Sequence, residues 1–247
     1  MNSLDEQIKQ VAKLLKNSEY PVVLTGPGIN AGSSNPVEEN LNNHLWTMLD
    51  PDDFTIHRYK DDQGSFNKES AVLFSILAEA EPSKAHLALS ELEKRGLIKA
   101  IITQNVDGLH QQAGSKNVLE IRGTLRSASC TQCEHTATAE EIISELEDSS
   151  SPPLCPHCGE PLEPDLVLAG DPIPPAYYHA QEEAEKADLF IIISSSMRTS
   201  PDNRLPSKCR NLVIISNDPT YYDEQAKIVI KEDPVKVMSL LLKELDN

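Results

Sequence analysis

The sequence predicts an α/β protein with a doubly wound parallel sheet and a second, smaller domain. Short, continuously apolar segments alternate with segments whose apolar residues recur at helical spacing. Strands that are buried on both faces are typical of parallel sheets covered by helices on both sides. Two segments interrupt this alternation, and one of them carries four of the five cysteines. These interruptions predict the smaller domain.

Local signals predict the elements of the sheet domain in order. Ser3 and Glu6 form a capping box ahead of apolar residues at helical spacing, so a helix opens the chain. An apolar strand over 21–25 runs into a glycine-rich loop, and a helix over 83–95 leads into a strand over 98–103. Further strands are predicted at 118–121, 189–194, 212–216 and 228–230, followed by an amphipathic helix.

The domain organisation follows from these elements. Residues 1–36, 83–126 and 162–247 are assigned to the sheet domain. Residues 37–82 lack β-branched runs and are predicted to form a mostly helical module. Residues 127–161 carry the cysteine pairs and a capping box at Thr138 and Glu141 that predicts a short acidic helix. With the helical module, these residues are expected to form the smaller domain.

Composition and charge exclude several classes of function. The chain has 247 residues, of which 39% are apolar and 25% charged, unlike collagen-like, coiled-coil or wholly disordered chains. A net charge of −17 repels phosphate backbones and anionic lipid, so neither nucleic acid nor a membrane is an expected partner. Charged residues interrupt the N-terminal segment, which argues against a signal peptide. A cytoplasmic location is therefore expected.

Four cysteines are arranged as two C-x2-C pairs, Cys130/Cys133 and Cys155/Cys158. In a reducing compartment, two such pairs are typical of a tetrahedral thiolate site for Zn²⁺. Four thiolates leave no open coordination position, so the ion is expected to be structural rather than catalytic. A redox dithiol and two chance pairs are the alternatives.

Two polar segments follow predicted strands. Residues 26–31 fit the pattern G-x-G-x-x-A, in which small residues let the backbone approach a pyrophosphate. A glycine turn without a ligand is the alternative. The second segment contains Gln104, Asn105 and Asp107, directly after the strand that ends at Thr103. Ligands of open α/β sheets bind beyond the carboxyl ends of strands, so these side chains favour a ligand site.

Five longer strings stand in order along the chain: VVLTGPGINAGSSNP, AHLALSELEKRG, TQNVDGLHQQAGSKNVLEIRGTL, ADLFIIISSSM and VIISNDPT. Together with the cysteine pairs they resemble the sirtuin family over nearly the whole chain. Sirtuins are NAD-dependent protein-lysine deacylases. The resemblance implies a Rossmann-like domain, a small domain with a helical module and a zinc ribbon, NAD as cofactor, and an acyl-lysine protein or peptide as substrate in the interdomain cleft.

The resemblance also implies site residues. Asn105 and Asp107 are expected to be catalytic. The residues expected to contact the NAD phosphates, ribose and nicotinamide are Gly26, Gly28, Ser33, Gln104, Asn105, Asp107, Ser195, Ser196, Ser216 and Asn217.

At the catalytic position the sequence departs from the family. The family string ELHG is here Glu-Ile-Arg122-Gly, so Arg122 replaces the histidine that acts as base on a ribose hydroxyl. An arginine stays protonated and cannot accept a proton at neutral pH. General-base catalysis is typically worth ~10²–10⁴-fold, so deacylation is expected to be impaired.

Other departures lie in the same pockets. Glu39 replaces an anion-binding arginine of the cofactor loop and would repel a dinucleotide. Pro27 and Asn30 replace the alanine and serine of the glycine loop, and Pro27 removes a backbone N–H. Ala169 removes an aromatic wall of the acyl-lysine tunnel.

Three functions stay open. The favoured one is a divergent sirtuin that keeps some binding of NAD or ADP-ribose, with impaired deacylation or with ADP-ribosyl transfer as an altered, transferase-class activity. The second is a non-enzymatic pseudosirtuin that binds a nucleotide or a protein. The third is an ordinary deacylase with a substituted base.

Overall fold

A computed structural model describes residues 3–30, 55–62, 66, 80–146 and 153–247. Within these residues the chain forms a six-stranded sheet and a three-stranded sheet. The helices and strands, in chain order, are α1 (Leu4–Asn17), β1 (Pro21–Thr25), α2 (Ile56–Asp61), α3 (Lys84–Lys94), β2 (Ala100–Thr103), α4 (Leu109–Gln112), β3 (Val118–Glu120), β4 (Gly123–Cys130), β5 (Thr136–Thr138), α5 (Ala139–Leu146), β6 (Leu162–Leu166), α6 (Pro175–Lys186), β7 (Leu189–Ile193), β8 (Leu212–Ile215), β9 (Ile228–Ile230) and α7 (Pro234–Asp246). Two 3₁₀ helices lie at Pro27–Asn30 and Asp202–Lys208.

The larger sheet has the strand order β3-β2-β1-β7-β8-β9, and every neighbouring pair is parallel. The chain steps outward from β1 to β3 on one side and from β7 to β9 on the other. The strand order therefore reverses between β1 and β7, the place where doubly wound folds bind ligands. The predicted α/β fold class is confirmed.

Helices bury both faces of this sheet. Val23 belongs to the apolar cluster under α1, α3 and α7, whereas its neighbours Val22 and Leu24 belong to the cluster under α6. Successive side chains of a strand point to opposite faces, so a continuously apolar strand needs cover on both. This explains why strand sequences such as LFIII in β7 are completely buried.

The smaller sheet is antiparallel, with the order β5-β4-β6. It packs on α5 through an apolar cluster that includes Leu125, Ala137 and Ile142. Helix α5 begins at the predicted capping box, because the Glu141 N–H donates to Thr138 Oγ1 at 3.4 Å and the Thr138 N–H donates to Glu141 Oε2 at 2.8 Å. None of the described helices is both long and apolar enough to cross a bilayer.

Two predicted features need comment. Of the predicted helical module over 37–82, the structure describes α2, Phe66 and residues 80–82, and the rest lies outside the described residues. The strand predicted over 189–194 ends one residue early. Ser194 has a φ of 52°, a left-handed conformation that no strand continues.

Two histidines, His86 of α3 and His110 of α4, are buried against each other beneath the sheet, with ring centroids 4.6 Å apart. The Ser83 N–H donates to His86 Nδ1 at 3.2 Å, and His110 Nε2 lies 2.9 Å from Thr25 Oγ1. Burial lowers the pKa of His86 to about 4. The pKa of His110 is lowered well below its usual value, mainly by burial and also by the repulsion that a protonated His86 would exert. Both rings are therefore neutral in the folded protein.

This pair predicts acid sensitivity. The unfolded chain binds protons at both rings below about pH 6.5, whereas the folded chain does not, so folding is fully supported above pH 6.5 and loses stability as pH falls towards 4. For His86 alone the loss by pH 4 is roughly 3 kcal/mol. Urea unfolding at a series of pH values should show that the free energy of unfolding depends less steeply on pH in His86→Gln than in the wild type. The exposed His179 is the matched control, and an unchanged dependence in His86→Gln would refute the assignment.

Candidate functional site

The loops that follow β1, β2 and β7 begin side by side. The Gly26 N–H donates to the Ile193 carbonyl at 3.0 Å, and the Gln104 N–H donates to the Thr25 carbonyl at 2.9 Å. A cavity of about 720 Å³ opens beyond these strand ends. Its walls come from Pro27, Gln104 and Val106, from Ile121 and Arg122, from residues 166–174 and Tyr177, and from residues 194–196 and 199–202.

The glycine loop packs against the loop after β7. A Cβ placed on Gly26 would lie 2.4 Å from the Ser194 carbonyl oxygen, and one on Gly28 would lie 2.9 Å from Ser194 Cβ. Neither position has room for a side chain, so both glycines have a packing reason beside any ligand. Ser194 itself has a left-handed φ, a conformation that costs an ordinary residue ~1 kcal/mol.

A buried polar cluster lies behind the glycine loop. Asn30 Nδ2 donates to Asp107 Oδ2 at 2.9 Å, and Asn105 Nδ2 donates to Asn30 Oδ1 at 3.3 Å. Burial raises the pKa of Asp107, while hydrogen bonds from the Leu109 N–H and Asn30 oppose the shift. Asn30 of the glycine loop therefore joins Asn105 and Asp107 into one unit.

A second network borders the cavity. Ser195 Oγ donates to Gln104 Oε1 at 2.7 Å, and Gln104 Nε2 donates to Asp202 Oδ2 at 2.7 Å. Arg122 donates to the same oxygen through Nη2 at 2.7 Å and through Nε at 3.2 Å. The Arg122 side chain is one-third exposed, whereas that of Asp202 is almost fully buried. The guanidinium therefore lines the cavity but is bound to a carboxylate.

Sequence reasoning missed Asp202. It stands 80 residues from Arg122 in a segment without a motif, so only the fold brings the two together. The single signal available was an acidic residue in the loop after a buried strand. Such residues are common on surfaces and predict little by themselves.

The other predicted residues are distributed unevenly. Ser196 lines the cavity, whereas Ser216 and Asn217 do not. Ser216 Oγ instead donates to the Asp218 carbonyl at 3.1 Å, in a turn that follows β8. Ser33 and Glu39 lie outside the described residues. The opposite wall is largely apolar, and Ala169 in it accepts a hydrogen bond from the Ile56 N–H at 3.0 Å.

The four paired cysteines meet at the end of the smaller sheet. Their sulfur atoms all lie within 4.8 Å of one another, with Cys130 to Cys158 at 3.4 Å and Cys133 to Cys155 at 3.5 Å. Sulfurs around a tetrahedral Zn²⁺ are about 3.8 Å apart, given Zn–S bonds of about 2.3 Å. The Gln132 N–H donates to the Cys130 sulfur and is the main cause that lowers its pKa to about 7. The donor set and its spacing fit structural zinc.

The cysteine cluster predicts one bound zinc ion per chain. Cys155→Ser should lower the zinc content and loosen the smaller sheet first, because a closed thiolate site contributes directly to folding. Metal analysis by mass spectrometry and hydrogen exchange across β4 to β6 are the measurements. Cys209→Ser, at the unpaired cysteine, is the matched control. Freshly purified protein without zinc would contradict the prediction.

The sequence is similar to a known protein family and to named proteins of other organisms. The family model described as Sir2 family matches residues 34–201. The chain is 39% identical over 225 residues to NAD-dependent protein deacetylase 2 of Caldanaerobacter subterraneus subsp. tengcongensis, covering 91% of this chain and 90% of that protein. It is 37% identical over 233 residues to the NAD-dependent protein deacetylase of Sulfolobus acidocaldarius, covering 93% and 91%.

Solved structures agree in fold. A Sir2 protein bound to an acetylated peptide superposes with a TM-score of 0.84 at 32% identity, covering 96% of this chain and 98% of that chain. Another structure, described as the structural basis for the mechanism and regulation of Sir2 enzymes, gives a TM-score of 0.83, also at 32% identity, with 98% of both chains covered.

Proposed function

Because the chain belongs to the Sir2 family, we propose that its cleft binds NAD or ADP-ribose and that its protein-lysine deacylase activity is impaired. The observation that carries this proposal is the Arg122–Asp202 ion pair at the cavity. The position that the resemblance assigns to a base holds a guanidinium, which cannot accept a proton. The relatives are named NAD-dependent protein deacetylases, and the proposed impairment of this chain is relative to that activity.

Residues in and beside the cleft support nucleotide binding: Gln104 lines the cavity, and Asn105 and Asp107 are buried beside it. Reversal of strand order between β1 and β7 opens a crevice at the strand ends, and the tight glycine loop brings backbone close to it. Asn105 and Asp107 are held by Asn30, and Gln104 is held by Ser195. Orienting such groups in advance lowers the entropy cost of binding. When bound, NAD would supply the reactive bond between its ribose and nicotinamide.

A second candidate function is NAD-dependent ADP-ribosyl transfer. The intact Asn105–Asn30–Asp107 cluster favours it, because transfer needs a positioned ribose carbon more than a histidine base. The acyl-lysine peptide is the proposed partner of the apolar wall around Ala169. A purely binding role for the cleft, without catalysis, would leave both reactions undetectable.

The ion pair predicts very slow deacetylation. An acetyl-lysine peptide incubated with NAD should show no turnover by mass spectrometry, or turnover at least ~10²-fold below that of the Caldanaerobacter relative measured alongside. Arg122→His should restore little, because by the resemblance Glu39 would still replace the arginine of the cofactor loop and Ala169 would still leave the acyl-lysine tunnel incomplete. Turnover equal to that of the relative would refute the impairment.

The cofactor loop predicts weak binding of NAD. By the resemblance, Glu39 stands where an arginine meets the phosphates, and loss of a charge-assisted hydrogen bond costs about tenfold or more in affinity. Glu39→Arg should therefore tighten NAD measured by calorimetry, whereas the exposed pair-forming Glu91→Arg should not. Micromolar binding that Glu39→Arg leaves unchanged would show that Glu39 does not face the phosphates.

A further inference from the structure

Asp202 is the buried acidic side chain that lines the cavity. It is only 4% exposed yet lines the cavity, and Gln104 and Arg122 both donate to its Oδ2. Among the residues that the structure describes, no donor contacts its Oδ1. An ionised carboxylate has acceptor capacity on both oxygens, and buried polar groups are normally hydrogen-bonded. The second oxygen is therefore available to a ligand in the cavity.

We infer that Asp202 binds a ribose hydroxyl through Oδ1, as a positioning residue for the ribose that carries nicotinamide in NAD. This inference rests on the proposed function, because it names the contact that one part of the nucleotide makes. Arg122 then has a second role besides replacing a base. It holds the carboxylate in place and neutralises its charge.

The chemistry of the network selects a hydroxyl rather than a phosphate. A carboxylate oxygen accepts hydrogen bonds and repels anions, so a phosphate cannot approach Oδ1 favourably. The Arg122–Asp202 pair carries no net charge, so it offers no strong attraction to a pyrophosphate. A neutral donor such as a sugar hydroxyl satisfies the free oxygen without charge repulsion.

The network also fixes the direction of the carboxylate. Gln104 Nε2 and Arg122 Nη2 both lie 2.7 Å from Oδ2, and Gln104 is itself oriented by Ser195 Oγ. Two side chains, Gln104 and Arg122, therefore hold one oxygen and leave the other, and Ser195 orients Gln104. Such preorganisation is what a positioning residue needs, because little freedom remains to be lost on binding.

A thermodynamic cycle separates this role from a purely structural one. ADP-ribose and the β-methyl ester of ADP carry the same pyrophosphate charge, but only ADP-ribose has the second ribose, so the ratio of their dissociation constants reports contacts to that ribose. The ratio is measured by calorimetry for the wild type, Asp202→Ala and Asp202→Asn. Any gain in phosphate affinity from an unpaired Arg122 changes both nucleotides equally and cancels.

The wild type should bind ADP-ribose at least about tenfold more tightly than the β-methyl ester of ADP, and Asp202→Ala should bring the ratio close to one. Asp202→Asn keeps an oxygen that can accept from Arg122 and Gln104, and it should reduce the ratio. This variant tests the inference if Asp202→Ala does not fold. Glu185→Gln is the matched control, since Glu185 pairs at the surface with Lys208 of the same 3₁₀ helix. Its ratio should equal that of the wild type.

The contrary outcomes are distinguishable. If both nucleotides bind and the ratio is the same in all variants, the inference is wrong and the proposed function stands. A wild type that binds ADP-ribose no more tightly than the β-methyl ester of ADP also overturns the inference alone. If the wild type binds neither nucleotide, the proposed function fails and the inference fails with it.

Discussion

The parallel pairing of β1 with β7 is the constraint on which the site depends. It joins the two halves of the sheet, and the chain leaves the sheet in opposite directions on its two sides. The loops after both strands therefore meet at one edge, so closely that Gly26 and Gly28 have no room for a side chain against Ser194. The left-handed Ser194 and the 3₁₀ turn at 27–30 are consequences of that meeting. The cavity and its polar network are built on these loops.

The ion pair of Arg122 and Asp202 lies at the cleft. Arg122 comes from the connection between the two sheets, and Asp202 comes from the loop after β7. Breaking a largely buried pair by removing one partner leaves an uncompensated charge, so each residue depends on the other being present. Without Asp202, the Arg122 guanidinium would add an unpaired positive charge to the cleft. With Asp202 present, the position is neutral overall and keeps one free acceptor.

Much of this could be predicted from the sequence, because its signals are local. Continuous apolar strands, the capping residues of α1 and α5 and the cysteine spacing each act within a few residues, and each predicted the observed feature. Gln104 could be predicted to lie at the site because it directly follows a buried strand. Asp202 could not, because its partners are distant in sequence and no motif marks it. The zinc ribbon was predicted, but its individual strands were not, because β4 and β6 are of mixed polarity and the cysteine cluster and α5 provide much of their packing.

In the proposed complex, Arg122 is bound to Asp202 Oδ2, and Oδ1 of the same carboxylate faces the ribose of a bound nucleotide. A crystal structure of the protein grown with ADP-ribose tests it most directly. The account predicts that Arg122 still contacts Asp202 Oδ2 and that Oδ1 lies within hydrogen-bond distance, about 3 Å, of a ribose hydroxyl. An Arg122 that leaves Asp202 to contact the pyrophosphate, with Asp202 turned away from the sugar, would contradict it.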